Sequence, residues 1–332
     1  VTHDVVGLGN ALVDALVRIE DDEILSRLEL TRGQMHPVDD ARWQAVYDGL
    51  EALGATLATG GSCANTIVAL GMMGARACFA GQVGNDSFGE LYAAQMNEAC
   101  GGHALQVSDA MATGKCLSII SASDAERTML TDLGAAVALS GLGGFEARLR
   151  DARLLHLTGY LFLGGPMAET AWEAIRVAEA SGVPIALDVA DPFVIGAVGD
   201  AIHQVLRDHA SIAFVNEEEA RALTGLDAEP AAWKLSEMLD TVIVKTGARG
   251  SLVVHAGELT RIGVHAVDAL DTTGAGDAYA AGYLYGWLRD WHPSASGDLG
   301  ARIASLVVAQ VGAVCRKPET LRDAVRAVEE NA

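Results

Sequence analysis

Short β-branched runs alternate along the chain with alanine-rich stretches of helical spacing. The runs at 5–8, 77–81, 154–157, 185–188, 212–216, 242–245 and 251–255 predict strands. Between them, 66–73, 88–99, 167–181, 197–207, 217–224 and 277–291 repeat apolar residues at helical intervals or are rich in alanine. Such alternation predicts an α/β fold with helices wrapped around a mainly parallel central sheet. Two stretches interrupt it. One runs from Asp14 to about Asp39, the other from Gln106 to about Thr131, where ATGKCLSIISASDAERTML reads as two strands paired about a turn. Residues 14–39 and 106–131 are accordingly assigned to a small β lid, and 1–13, 40–105 and 132–332 to the α/β core. No internal repeat or long linker divides the core.

Charge narrows the classes of function. With 44 acidic against 23 basic residues the formal net charge is -21, which argues against a nucleic-acid surface or an anionic-membrane partner. A phosphate ligand would have to be held locally, by backbone donors, a metal ion or a few placed cations. The five cysteines (63, 78, 100, 116 and 315) form no CxxC pair and suggest reduced thiols rather than a disulfide framework or a zinc site. The first residues lack a basic leader and a cleavage site, and no apolar run reaches about twenty residues. A cytoplasmic location is the expectation.

The segment DTTGAGD, 271–277, carries the strongest chemical signal. Gly274, Ala275 and Gly276 let an anion approach the backbone closely, just where a helix begins and its free N–H groups and dipole favour negative charge. Asp277 beside such an anion could take a proton from a substrate hydroxyl. A plain capped turn is the alternative for an isolated GxGD, and the longer string makes it the weaker one.

Other candidates fall at strand ends and helix starts. Gly9, Asn10 and Asp14 follow the first strand, and a carboxylate at 14 could bind two vicinal hydroxyls or simply face solvent. GLGNAL has Leu12 where a dinucleotide fingerprint needs its third glycine. In TGGSCANTIVALGMMG, Gly60, Gly61 and Asn65 precede or open a helix and suit a polar ligand, or a tight turn with a satisfied amide. Asn216 and Glu219, three apart after a strand, could order magnesium through water or merely complement a helix dipole. Lys245, Thr246, Gly247 and Gly250 form a turn that could hold a nucleotide, although no GxxxxGK[ST] motif exists. Arg127 is a candidate to close over a transferred phosphate, with a surface salt bridge as its other reading. The nine histidines show no metal-ligand spacing and no GxSxG occurs, which weakens hydrolase readings.

Taken together, GGSCAN at 60–65, NEEEA at 216–220, VKTG at 244–247 and DTTGAGD resemble the ribokinase-like (pfkB) carbohydrate kinases, in matching order over nearly the whole chain. GNALVD at 9–14, RTMLTDLGAA at 127–136, TGYLF at 158–162 and LDVADPFVI at 187–195 are most similar to the adenosine kinases of that family. The resemblance implies a ribokinase-like three-layer α/β/α fold with a small β lid, and an ATP- and Mg2+-dependent kinase acting on a primary hydroxyl. It makes Asp277 the base, residues 274–276 the anion hole, and Asn216 with Glu219 the pair that organises magnesium through water. Asn10, Asp14, Gly60, Gly61, Asn65 and Arg127 would face the substrate, and Asn216, Lys245, Thr246, Gly247 and Gly250 the nucleotide. A monovalent cation such as K+ is a further candidate cofactor. The acceptor reads as an adenosine-like ribonucleoside. Ribose, fructose or a ketodeoxy sugar acid, or a silent nucleoside- or sugar-binding role, are the alternatives. Small molecules are the expected partners of a monomer or homodimer.

Overall fold

The computed structural model describes residues 3–123 and 126–330. Among them, nine strands form the main sheet, in the order 258–262, 251–255, 241–245, 212–216, 185–188, 155–158, 5–8, 77–84 and 104–108. Neighbours run parallel from Ala104–Ser108 as far as Thr241–Lys245, and the last two strands return antiparallel. VVGL, LHLT and IALD are buried along their whole length, as strands must be when helices cover both faces of a sheet. On one face, helices Ser62–Met73, Ala275–Trp287, Pro293–Val308 and Pro318–Glu329 close over Phe79, Phe214 and Ile243. On the other, Gly165–Ala180, Pro192–Asp208 and Ala228–Leu235 pack on Leu155, Leu187 and Val242. The result is the three-layer ribokinase-like arrangement.

A second sheet of five strands has the order 35–37, 127–132, 114–121, 12–19 and 56–60. Its alternation is visible along Leu12–Ile19, where Val13, Ala15, Val17 and Ile19 are buried and the intervening side chains point the other way. Ala15, Val17 and Ile19 pack beneath Trp43, Val46 and Leu50 of helix Asp40–Leu50, so this helix covers one face of the sheet. The opposite face carries Asp14 toward the core. Lys115, with only 3% of its side chain exposed, pairs with Asp40 and lies 5.1 Å from the centre of the Trp43 ring, tying the covering helix down.

The division between core and small sheet differs from the sequence assignment in three places: helix Asp40–Leu50, assigned to the core, covers the small sheet, and two strands change sheet. Thr56–Gly60, assigned to the core, pairs antiparallel with Leu12–Ile19 in the small sheet. Ala104–Ser108, partly assigned to the lid, pairs parallel with Ala77–Gly84 in the main sheet. Both are short, half-polar edge strands, and an edge strand's own side chains say little about which sheet it joins. The tip of the hairpin between 121 and 127 includes 124–125, which lie outside the described residues.

Candidate active site

Thr158, Asp188, Asn216 and Lys245 each end a parallel strand, so the carboxyl edge of the sheet is polar just where ligands meet open α/β sheets. Helix Ala275–Trp287 starts above this edge. Gly274 precedes it at φ 72, and a Cβ there would lie 2.3 Å from the carbonyl oxygen of Ala313. Only glycine meets both conditions. The N–H of Ala275 turns back to the Thr272 carbonyl at 3.2 Å, which leaves those of Gly276 and Asp277 as the better donors of the first turn.

Asp277 is held on both oxygens. Ser62 Oγ donates to Oδ1 at 2.6 Å and Asn65 Nδ2 to Oδ2 at 2.8 Å, both from the start of helix Ser62–Met73. Removal from water pushes its pKa up to about 6 and the nearby Asp188 adds to the rise, while Ser62, Asn65 and Lys245 oppose it. A carboxylate tuned in this way is ionised near neutrality yet basic enough to accept a proton.

Asp14 is near enough to Asp277 for the two charges to act on one another. Its carboxyl occupies the space a side chain at Gly60 would take, with Cγ 2.4 Å from the Cβ position of that glycine. Burial raises its pKa to about 7 against the pull of Arg127, and Asp277 adds to the rise. Gly61 has φ 93, and a Cβ there would meet the Asn10 carbonyl at 2.2 Å, so the turn into helix Ser62–Met73 also requires glycine. The Oδ1 atoms of Asn10 and Asn65 are buried without a hydrogen-bond partner. Buried acceptors rarely go unsatisfied, and a ligand with several hydroxyls would answer both.

The nucleotide candidates form a second group. Asn216 and Glu219 make a reciprocal cap: Asn216 Oδ1 accepts from the Glu219 N–H at 2.8 Å, and Glu219 accepts from the backbone N–H and the side-chain amide of Asn216 at 2.9 and 2.6 Å. Burial raises the Glu219 pKa to about 7, with Asp188 contributing and Lys245 opposing. Lys245 Nζ donates to Asp188 Oδ2 at 2.8 Å, and a Cβ on Gly276 would be 3.1 Å from that ammonium. The lysine thus lies directly under the glycine loop, already paired. Burial alone would lower its pKa, but Asp188, Glu219 and Asp277 hold it above the usual lysine value. Thr246 Oγ1 donates to the Gly250 carbonyl at 2.8 Å, closing the turn that contains Gly247 and Gly250 at positive φ. A cavity of about 540 Å³ adjoins this turn rather than Asp277. Its arginines 221, 249 and 261 are each paired with a carboxylate, Asp227, Glu217 and Glu229 respectively.

Arg127 does not stand free. It pairs with Asp271, the first residue of DTTGAGD, in a contact with 15% and 6% of the two side chains exposed.

The pfkB family carbohydrate kinase model matches residues 42–320. The chain belongs to this family. Adenosine kinase of Saccharomyces cerevisiae is 29% identical over 94% of this chain and 96% of its own length. A 5-dehydro-2-deoxygluconokinase of Shouchella clausii is 26% identical over 98% and 96%. In the solved structures, adenosine kinase from Sinorhizobium meliloti superposes with a TM-score of 0.87 at 29% identity, covering 98% of this chain and 99% of that one. As a pfkB member the protein is an ATP-dependent sugar or nucleoside kinase. Among the described residues no helix is long and apolar enough to cross a membrane.

Sequence reasoning gave no role to Asp188, Ser62 or Asp271. Asp188 had a signal, a charged residue ending an otherwise apolar strand at the ligand edge. The partnerships of Ser62 with Asp277 and of Asp271 with Arg127 span 215 and 144 residues and left no local trace.

Proposed function

We propose that this pfkB kinase transfers the γ-phosphoryl group of ATP to the primary hydroxyl of an adenosine-like ribonucleoside. The observation that carries the reading is Asp277: half-buried, with its pKa raised to about 6, fixed by Ser62 and Asn65, set on the first turn of a helix, and near enough to Asp14 for the two charges to interact. Asp277 would orient the acceptor hydroxyl and take its proton as the new P–O bond forms. The amides of Gly276 and Asp277, with the positive end of the helix dipole, would receive the charge on the transferred group. The small sheet would act as a lid that excludes water.

Magnesium fits Asn216 and Glu219 through its water shell. Their cap uses one lone pair on each carboxylate oxygen of Glu219 and leaves the others to accept from metal-bound water. Bound there, the ion would neutralise charge on the ATP phosphates, and Lys245 with Asp188 would hold the strand ends beneath it.

Asp14 favours neutral vicinal hydroxyls over an acidic acceptor. Of the arginines whose charges act on it, Arg127 is paired with Asp271, and Arg316 donates to the neutral Thr59 hydroxyl at 2.8 Å and keeps its charge. A sugar acid would bring another carboxylate beside Asp14 and Asp277. The nucleoside reading also draws on the adenosine kinase relatives, and the gluconokinase relative supports the free-sugar alternative. Incubation with MgATP and a panel of nucleosides, ribose, fructose and ketodeoxy sugar acids, followed by ADP measurement, decides between them. Adenosine is expected to give the highest kcat/KM, and ADP formed only with a free sugar would reverse the choice. Asp14→Ala is expected to raise the acceptor KM by about tenfold or more, the scale of a lost charge-assisted hydrogen bond, and to spare the ATP KM. An unchanged acceptor KM would make Asp14 structural.

A further inference from the structure

The strand end that seats Asp14 is pinned from behind. Thr59 and Gly60 close the strand Thr56–Gly60, paired with Val13 and Leu12, and the Asp14 carboxyl lies against the bare backbone of Gly60. Three side chains from outside the small sheet hold these two residues. Tyr92 donates its hydroxyl to the Gly60 carbonyl at 3.0 Å, Gln95 Oε1 accepts from the Thr59 N–H at 2.7 Å, and Arg316 donates to Thr59 Oγ1 at 2.8 Å. Thr59 and Tyr92 are buried, so this backing belongs to the packed interior. Of the three side chains only Arg316 carries a charge.

Asp14 needs one. Among the described residues none donates a hydrogen bond to its carboxylate, so its ionisation is opposed by burial and by Asp277 and supported only by the fields of Arg127 and Arg316. Arg127 exerts the larger pull, but it is paired with Asp271. Arg316 meets a neutral hydroxyl, and the charges that bear on it are those of Glu98, Asp14 and Tyr92. Tyr92 and Cys116, which also feel Asp14, keep their protons because burial raises both. We infer that Arg316 is a positioning residue for the acceptor: its bond to Thr59 fixes the wall behind Gly60, and its charge acts through that wall to keep Asp14 a carboxylate that accepts from two hydroxyls. Arg316 reaches solvent over part of its length, so its charge is screened and the effect is a few-fold one.

This role rests on the kinase reading above and on Asp14 as an acceptor contact. The test uses the full chain with MgATP and the acceptor that the panel selects. It compares Arg316→Gln, which keeps an amide donor but no charge, with Arg316→Lys, Asp14→Asn and the double variant of Asp14→Asn and Arg316→Gln. Arg316→Gln is expected to raise the acceptor KM about fivefold at about pH 6 and less than about 1.5-fold at about pH 9, with the ATP KM within about twofold throughout. The sign follows from the lost cation: Asp14 then holds its proton to higher pH, so acceptor binding weakens on the acid side and is intact on the alkaline side. Arg316→Lys is expected to stay within about twofold of wild type at both pH values, and Arg316→Gln to add nothing in the Asp14→Asn background. A KM raised equally at both pH values, or an equal effect in the Asp14→Asn background, would make Arg316 a purely structural support. An unchanged KM at both would remove it from the site. If Arg316→Gln does not fold, Glu98→Gln decides: without the carboxylate set against Arg316 the acceptor KM should fall at the lower pH and hold at the higher, and no change at either overturns the role. A wild type silent with every acceptor defeats the kinase reading itself, and an acceptor KM untouched by Asp14→Asn defeats Asp14 as the contact. An active wild type with a pH-independent effect of Arg316→Gln defeats only the role of Arg316.

Discussion

Asp277→Asn is expected to lower turnover by about a hundredfold or more, the usual scale for an acid–base group, with ATP and acceptor still bound. The same substitution is expected to raise the melting temperature at neutral pH. The folded pKa of Asp277 stands at about 6, above its ordinary 3.8, so the folded state binds a proton that the unfolded chain releases. Ionising Asp277 thus opposes folding, by an amount that grows as pH rises from about 4 to about 6 and is complete above that. An asparagine removes the cost, of order 1 to 3 kcal/mol before allowance for what solvent reaches the group. Activity has the opposite dependence, since only the ionised carboxylate can accept the proton: kcat/KM for the acceptor should fall as pH drops below about 6. Steady-state kinetics across pH, with thermal unfolding of the same preparations, checks both. Near-normal turnover in the variant would remove Asp277 from the reaction, and a lower melting temperature would mean that its hydrogen bonds to Ser62 and Asn65 outweigh its burial.

Lys245→Met is expected to destabilise the protein by about 3–5 kcal/mol, because it leaves Asp188 buried without its cation and strips the nearby Glu219 and Asp277 of theirs. For a chain of this size each kcal/mol shifts the melting temperature by roughly 1.5 °C. Asp188→Asn added to Lys245→Met is expected to recover much of that loss, since the second substitution removes the orphaned charge. Unfolding curves of the two single variants and the double variant measure this. Additive losses would show that the pair contributes packing and not charge compensation. Lys245 is thereby distinguished from a nucleotide ligand, whose removal would raise the ATP KM and leave stability nearly untouched.

How far the site was legible depended on the distance over which each decision is made. The turn Gly274–Ala275–Gly276 and the proposed base, Asp277, lie within one short string, and the structure places them at the start of one helix. The cap of Asn216 and Glu219 is likewise local, and its spacing of three residues was visible, although the structure uses it first to close the helix. Arg127 shows the opposite case. A lone arginine in a polar stretch carries no mark of its partner, and only the folded chain brings Asp271 to it. Lys245 is marked in the sequence only as the end of a strand, and the carboxylate that holds it ends a strand two positions away in the sheet. Thr56–Gly60 was misassigned for the same reason, since strand pairing is set by the partner rather than by the strand.

What the sequence by itself determined about this protein is therefore its class: the apolar runs of strands buried on both faces, the helices between them, and the glycines and carboxylate of DTTGAGD. These depend on residues within a few positions of one another, where backbone freedom, periodicity and capping act. The tertiary structure alone decided which polar and charged groups meet. It set Ser62 and Asn65 on Asp277, Asp188 on Lys245, and Arg127 on Asp271. Each pairing joins residues far apart in the chain, and the strength of each comes from burial, a property that no single segment has before the sheets and helices close around it.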